Sequence, residues 1–289
     1  MKLPKIELPV GTPSGSPDGN ITARQNELAV LTRVREFGHL RISELARLVW
    51  YESANTASAV ESARRTVRRL LHSGHLLERV NALGGRSFVL TKSGALRLQT
   101  QLDLQARDGY DIQGVSGGTF YHRTLSTVYL AERAAQGDTV WGEYALAKEW
   151  APYTNEALEA RFDKRPDGLI RLGTSELSSR GIRSAETQFF DVLETESTYK
   201  PDAELERVLA LALRLDNERF DRLVIAFDAA AAHEKRIRRA WARLMARAKS
   251  HSPELDEHTL AQFVELARLH VAPPLRLVRL DRVTLDTVL

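Results

Sequence analysis

Glu194 and Glu196 stand one residue apart at the end of an apolar run, FFDVLETEST at residues 189–198. On an extended strand, positions i and i+2 point to one face, so the two carboxylates would project together. A second apolar run, RPDGLIRLG at residues 165–173, opens with Asp167. Two adjacent strands of this kind could bring Asp167 and Glu194 to one place, with Glu143 as a further oxygen donor. Such hard donors suit Mg²⁺, which takes one or two carboxylates and keeps water and phosphate in its other positions. A metal held in this way could activate a water for hydrolysis. A lysine beside the acids would orient the water and steady the developing negative charge. Two residues after Glu194, however, the chain has Glu196, which can take a proton from water but cannot stabilise that charge. Lys164 and Lys200 are near in sequence, and nothing in the sequence fixes either one.

A second set of residues points to a polyanion. Residues 21–100 hold thirteen Lys/Arg against six Asp/Glu, a net of +7 where the whole chain carries +3. The remainder is slightly acidic, so the charge is concentrated in one module. Within it, TASAVESARRTVRRLLHSG at residues 56–74 has helical periodicity. At about 100° per residue, Val60, Ala63, Val67, Leu70 and Leu71 share an apolar face. Ser58, Ser62, Arg65 and Arg69 lie opposite, with Arg64 and Arg68 on the flanks. A major groove admits one helix and offers guanine edges and phosphates to arginine. Asn55 and Thr56 at the helix start could cap it and touch phosphate. Arg86 follows two glycines at a hairpin tip, where it would reach a phosphate or the minor groove. The alternative is a solvated helix face whose arginine stems cover apolar surface.

The elements that would position these residues follow from pattern. Residues 1–20 are rich in Pro, Gly and Ser and are expected to form a flexible arm. A helix from Ala23 would end at Gly38. The short extended HLRI comes next, then a helix capped by Ser43, then the arginine helix ending at Gly74. HLLERV and SFVLT flank the turn ALGGR as a Gly-Gly hairpin, and KSGALRLQTQL returns to helix. Residues 21–104 form this module, and residues 105–118 are expected to be a linker. From residue 119 to 289 the pattern predicts an α/β domain in the order α-β-β-β-α-β-α-α-β. Its strands lie at TVWGEYAL, GLIRLG, TQFFDVLETE, RLVIAFD and PLRLVRLDRV. Its helices include FYHRTLSTVYLAERAAQG, PDAELERVLALALRLD, AAAHEKRIRRAWARLMARAKS and PELDEHTLAQFVELARLH. The helix at 231–250 is expected to pack Ile237, Trp241, Leu244 and Met245 inward and to present a basic face to solvent.

The order helix, short strand, helix, helix, hairpin, helix, with LLHSGHLLERV and GGRSFVLTKSGALRL, resembles a winged helix-turn-helix over roughly residues 24–100. The part after residue 119 resembles the PD-(D/E)XK nuclease core, with Pro166-Asp167 and Glu194 at its acidic positions and Glu196 in place of its lysine. Most of the chain is similar to the replication-relaxation proteins of plasmids and mobile elements. That similarity rests on His122-Arg123, Trp141-Gly142-Glu143, Arg165-Pro166-Asp167 and the Glu194–Thr198 stretch. The last departs from the family by Glu for Asp, and the basic, tyrosine-bearing helix that should follow it is absent.

The resemblances imply an α+β protein that binds double-stranded DNA and serves a mobile element in replication, transfer or transcription. Winged-helix proteins often bind as homodimers to two-fold sites. The candidate DNA contacts are Asn55, Thr56, Ser58, Ser62, Arg64, Arg65, Arg68, Arg69 and Arg86. The candidate catalytic residues are Asp167, Glu194 and Glu196, with Asp167, Glu194 and Glu143 as Mg²⁺ ligands if the site is active. Three readings of these acids stay open: a live metal-dependent endonuclease, a nuclease-like domain retained for binding, and ordinary acids at strand ends. No P-loop, dinucleotide glycine fingerprint, HExxH or G-x-S-x-G competes. With no cysteine, disulfides and thiolate zinc sites are excluded. No apolar run reaches about eighteen residues, so no membrane span is expected. A cytoplasmic location is the plain expectation.

Overall fold

The computed structural model describes residues 19–53, 55–104, 115, 117–182, 188–215, 219–252, 254, 256–273 and 275–286. It is a mixed α+β protein whose described residues form two sheets. Helix α1 (Gly19–Phe37) buries Val30, Leu31, Val34 and Phe37. It ends at Gly38, whose φ of +76° favours glycine and whose missing Cβ leaves room for the Tyr144 ring. Strand β1 (His39–Leu40), helices α2 (Ile42–Val49) and α3 (Thr56–His72), the hairpin β2 (Leu76–Val80) and β3 (Arg86–Leu90), and helix α4 (Lys92–Leu102) follow. The small sheet is antiparallel, in the order β1-β3-β2.

Two expectations change here. Residues 1–18 of the expected arm lie outside the described residues, but Gly19 and Asn20 form the first turn of α1. Ser43 does not cap α2. The helix starts two residues earlier, at Ile42 with Arg41 as its N-cap, and the buried Glu44 carboxylate accepts from the Arg41 N–H at 3.0 Å and from the Arg41 guanidinium at 2.6 Å. Ser43 Oγ donates to the same carboxylate at 2.8 Å. A charged acceptor at that position outcompetes a hydroxyl.

The expected linker at 105–118 falls mostly outside the described residues. Val115 is buried, and its carbonyl accepts from the Ala82 N–H in the hairpin turn at 3.1 Å. Beyond it run α5 (Phe120–Ala135), β4 (Thr139–Gly142), α6 (Glu143–Ala147), α7 (Asn155–Phe162), β5 (Gly168–Arg171), α8 (Thr174–Ser179) and β6 (Phe190–Glu196). They are followed by α9 (Asp202–Leu209), which continues as a 3₁₀ turn over Ala210–Arg214, then β7 (Phe220–Asp228), α10 (His233–His251), α11 (Glu257–Ala261), β8 (Val264–Ala272) and β9 (Arg276–Thr284).

The strand expected over TVWGEYAL stops at Gly142, because Glu143–Ala147 turn into helix. The helix expected over PELDEHTLAQFVELARLH is only the five residues of α11; Val264 onward is strand β8. There β8 lies between β7 and β9, and pairing on both edges overrides a helical reading of the pattern.

The large sheet runs β4-β5-β6-β7-β8-β9. The pairs β4–β5, β5–β6 and β8–β9 are antiparallel, while β6–β7 and β7–β8 are parallel. On one face α5 packs Leu125, Val128 and Tyr129 with Leu193, Val224 and Ala226. The other face packs Val192, Ile225 and Phe227 with Leu205 and Leu209 of α9 and Ile237, Trp241 and Met245 of α10. The α5-side core is continuous with that of the N-terminal module. Across the junction Arg47 forks onto Glu132 with two contacts of 2.8 Å, and His39 stacks on Phe120 at 5.3 Å.

Candidate functional site

The register brings the expected acids to one end of the strands β4, β5 and β6. Gly168 pairs with Leu193 and with Gly142, so Asp167, Glu143 and Glu194 each follow or precede a residue in one row across three strands. Glu194 pairs with Ile225 and Glu196 with Phe227, where the parallel strands β6 and β7 end. The Asp167 N–H donates to Leu193 O at 3.0 Å, and Asp167 Oδ2 accepts from the Thr195 N–H at 2.8 Å. Glu194 and Glu196 are both almost wholly buried.

Each acid meets a basic side chain of the protein itself. His122 Nε2 lies 3.1 Å from Asp167 Oδ2, and Lys164 Nζ lies 2.5 Å from Glu194 Oε2. Lys200 Nζ forms an ion pair with Glu196. Arg123 forks onto Glu143, with contacts of 2.9 and 3.1 Å. Burial works against charge on Asp167, but His122, Lys164 and the Thr195 N–H hold its carboxyl below its ordinary range. For His122, burial opposes the charged ring and Asp167 outweighs it, leaving the imidazole raised. Glu194 goes the other way. Burial and the neighbouring Asp167 charge raise it to about 7, and Lys164 offsets this only in part. Lys200 is raised: burial opposes its charge, and Glu196, Glu194 and Asp167 overcome it.

Oxygen donors are the right type for Mg²⁺, and Glu194 Oε1 is buried without a hydrogen-bond partner. The remaining geometry does not fit a metal centre. Among the described residues no three His, Asp or Glu side chains are grouped as a metal site would need. Glu143 is turned to Arg123, and the other acids are matched by basic side chains.

The candidate DNA contacts gather on α3 and the hairpin. Ala59, Ala63, Thr66, Val67 and Leu70 are buried, while Val60 and Leu71 are half-buried. Ser58, Arg64, Arg65, Arg68 and Arg69 are exposed on the other side, and Ser62 is half-buried. Asn55 caps α3, its Oδ1 accepting from the Ala57 N–H at 2.9 Å, and Thr56 is the exposed first residue. Arg69 does not point freely outward: its Nε donates to Glu27 at 2.9 Å, and Arg97 holds the same carboxylate. Arg64 lies 3.8 Å from Glu61, and Arg86 pairs with Glu78 at 2.9 Å.

Sequence reasoning missed two features. One is the contact between His122 Nδ1 and Ser197 Oγ at 3.0 Å, which joins α5 to the end of β6. The other is a buried charge network at the opposite end of β6. There Arg133 meets Asp138 at 2.6 Å and Asp191 at 3.2 Å, and Arg180 and Arg282 share Glu176. Asp191, one residue inside an apolar strand, was the only local hint of it. Compared with known proteins, the chain matches no family model, no curated protein and no solved structure.

Proposed function

We propose that the protein binds double-stranded DNA through α3 and the β2–β3 hairpin, as a winged helix does, and acts as a regulator or accessory factor of a mobile element. The observation that carries this reading is the outer face of α3. Arg65 and Arg68 are exposed there with no ionic partner among the described residues, opposite the buried Ala63, Val67 and Leu70. Unpaired guanidinium groups on a helix clear of its core are what phosphate and guanine edges take up. The three-stranded β1-β3-β2 sheet and the element order support it.

The C-terminal domain fits a nuclease-like scaffold that has given up metal-dependent cleavage. Support for the scaffold comes from α5, the antiparallel β4-β5-β6 and the parallel β7. Support for lost cleavage comes from the one-to-one pairing of the acids with basic side chains of the protein. The second reading, a Mg²⁺-dependent endonuclease with Glu196 in the lysine's place, draws on the closeness of Asp167 and Glu194.

Two assays test the proposal. Arg65→Ala with Arg68→Ala should weaken duplex binding more than tenfold in an anisotropy titration, with the thermal midpoint nearly unchanged. Unchanged affinity would remove α3 as the DNA-reading element. Wild-type protein should leave supercoiled plasmid intact in Mg²⁺ or Mn²⁺. A metal-dependent nick that is lost in Asp167→Asn would establish the second reading instead.

A further inference from the structure

We propose that Ser197 is a nucleophile toward the phosphorus of a phosphodiester in an unpaired nucleic-acid strand, with His122 as its base. Ser197 Oγ lies 3.0 Å from His122 Nδ1, and the other ring nitrogen, Nε2, is 3.1 Å from Asp167 Oδ2. In the neutral tautomer that donates Nε2–H to Asp167, Nδ1 is the acceptor and Ser197 the donor. A serine hydroxyl is a weak nucleophile until a base in hydrogen-bond reach, itself oriented by a third group, takes its proton. These three side chains, from β6's end, α5 and the entry to β5, meet that requirement without a metal.

The class of substrate comes from the loop that carries Ser197. Tyr199 is 77% exposed, and the Arg236 guanidinium lies 3.9 Å from its ring centroid. An outward aromatic ring backed by a guanidinium is a platform for a base, and only an unpaired base offers it a free face.

In the reaction the Oγ–P bond forms and the P–O bond to the leaving sugar oxygen breaks. The Ser197 proton passes to His122 Nδ1 and then to that oxygen. The products are a phosphoserine ester and a strand end with a free hydroxyl, so no oxidant, reductant or further reactant is needed. The inference goes beyond duplex binding and does not depend on α3.

The test uses the full chain in EDTA with diisopropyl fluorophosphate, whose P–F bond breaks as fluoride leaves. Peptide mass mapping should find Ser197 labelled at least tenfold faster than Thr198, the exposed hydroxyl beside it. His122→Gln should slow the Ser197 label at least tenfold while far-UV circular dichroism stays unchanged. In Arg65→Ala/Arg68→Ala protein, where α3 is disabled, a single-stranded oligonucleotide should protect Ser197, and adding Tyr199→Ala should remove that protection. Ser197 labelling no faster than Thr198 in the wild type overturns the proposal whether or not the variants fold. Labelling indifferent to His122, or not slowed by the oligonucleotide, overturns it too.

Discussion

Glu194 is the residue whose charge is least welcome. It is wholly buried beside Asp167, and its carboxyl is raised to about 7. In an unfolded chain a glutamate titrates near 4.3. Between those values the folded protein holds a proton that the unfolded chain releases. Stability is therefore full below the unfolded value, falls as pH rises toward 7, and levels off above it. Glu194→Gln removes the effect. The variant should match wild type in urea unfolding at pH 4.5 and exceed it at pH 8 by on the order of 1–3 kcal/mol. An equal difference at both pH values would mean that burial does not tune this carboxyl. Arg69 teaches a different lesson at the same scale. Its contact with Glu27 makes it part of the α1–α3–α4 packing, so Arg69→Ala should weaken duplex binding less than Arg65→Ala in the same titration.

At the level of elements, α5, β6, α8 and β9 are tied by buried charge. Arg133 is fully buried and bridges Asp138 and Asp191. Arg133→Ala should cost about 3–5 kcal/mol in urea unfolding, because two carboxylates lose their cation inside the protein; a loss under 1 kcal/mol would place the network outside the stabilising core. No periodicity announces such a network, since its members come from helix, loop and strand far apart in sequence. What was legible had local causes: Gly38 ending α1, the apolar stripe Ala63–Val67–Leu70 of α3, the hairpin around Gly84 and Gly85, and the i, i+2 spacing of Glu194 and Glu196. β8 was misread because pairing with two neighbouring strands decides its conformation. The candidate acids were legible by residue type; that His122, Lys164 and Lys200 would occupy them depended on register and on the loops between.

At the scale of the molecule, the N-terminal module and the large sheet share one apolar core, closed by Arg47–Glu132, His39–Phe120 and the approach of Tyr144 to Gly38. Parts joined in this way unfold together. Circular dichroism and tryptophan fluorescence, which samples Trp50 in one part and Trp141, Trp150 and Trp241 in the other, should report one coincident urea transition; two separated transitions would mean that the junction contributes little. The DNA binding proposed for α3 can be checked through the salt dependence of duplex affinity for wild type and Arg65→Ala/Arg68→Ala. Each phosphate contact contributes a slope of about 0.9 in log K against log salt. The double variant should lose roughly 1–2 units of slope along with its affinity. A slope equal to that of wild type would contradict the proposed binding.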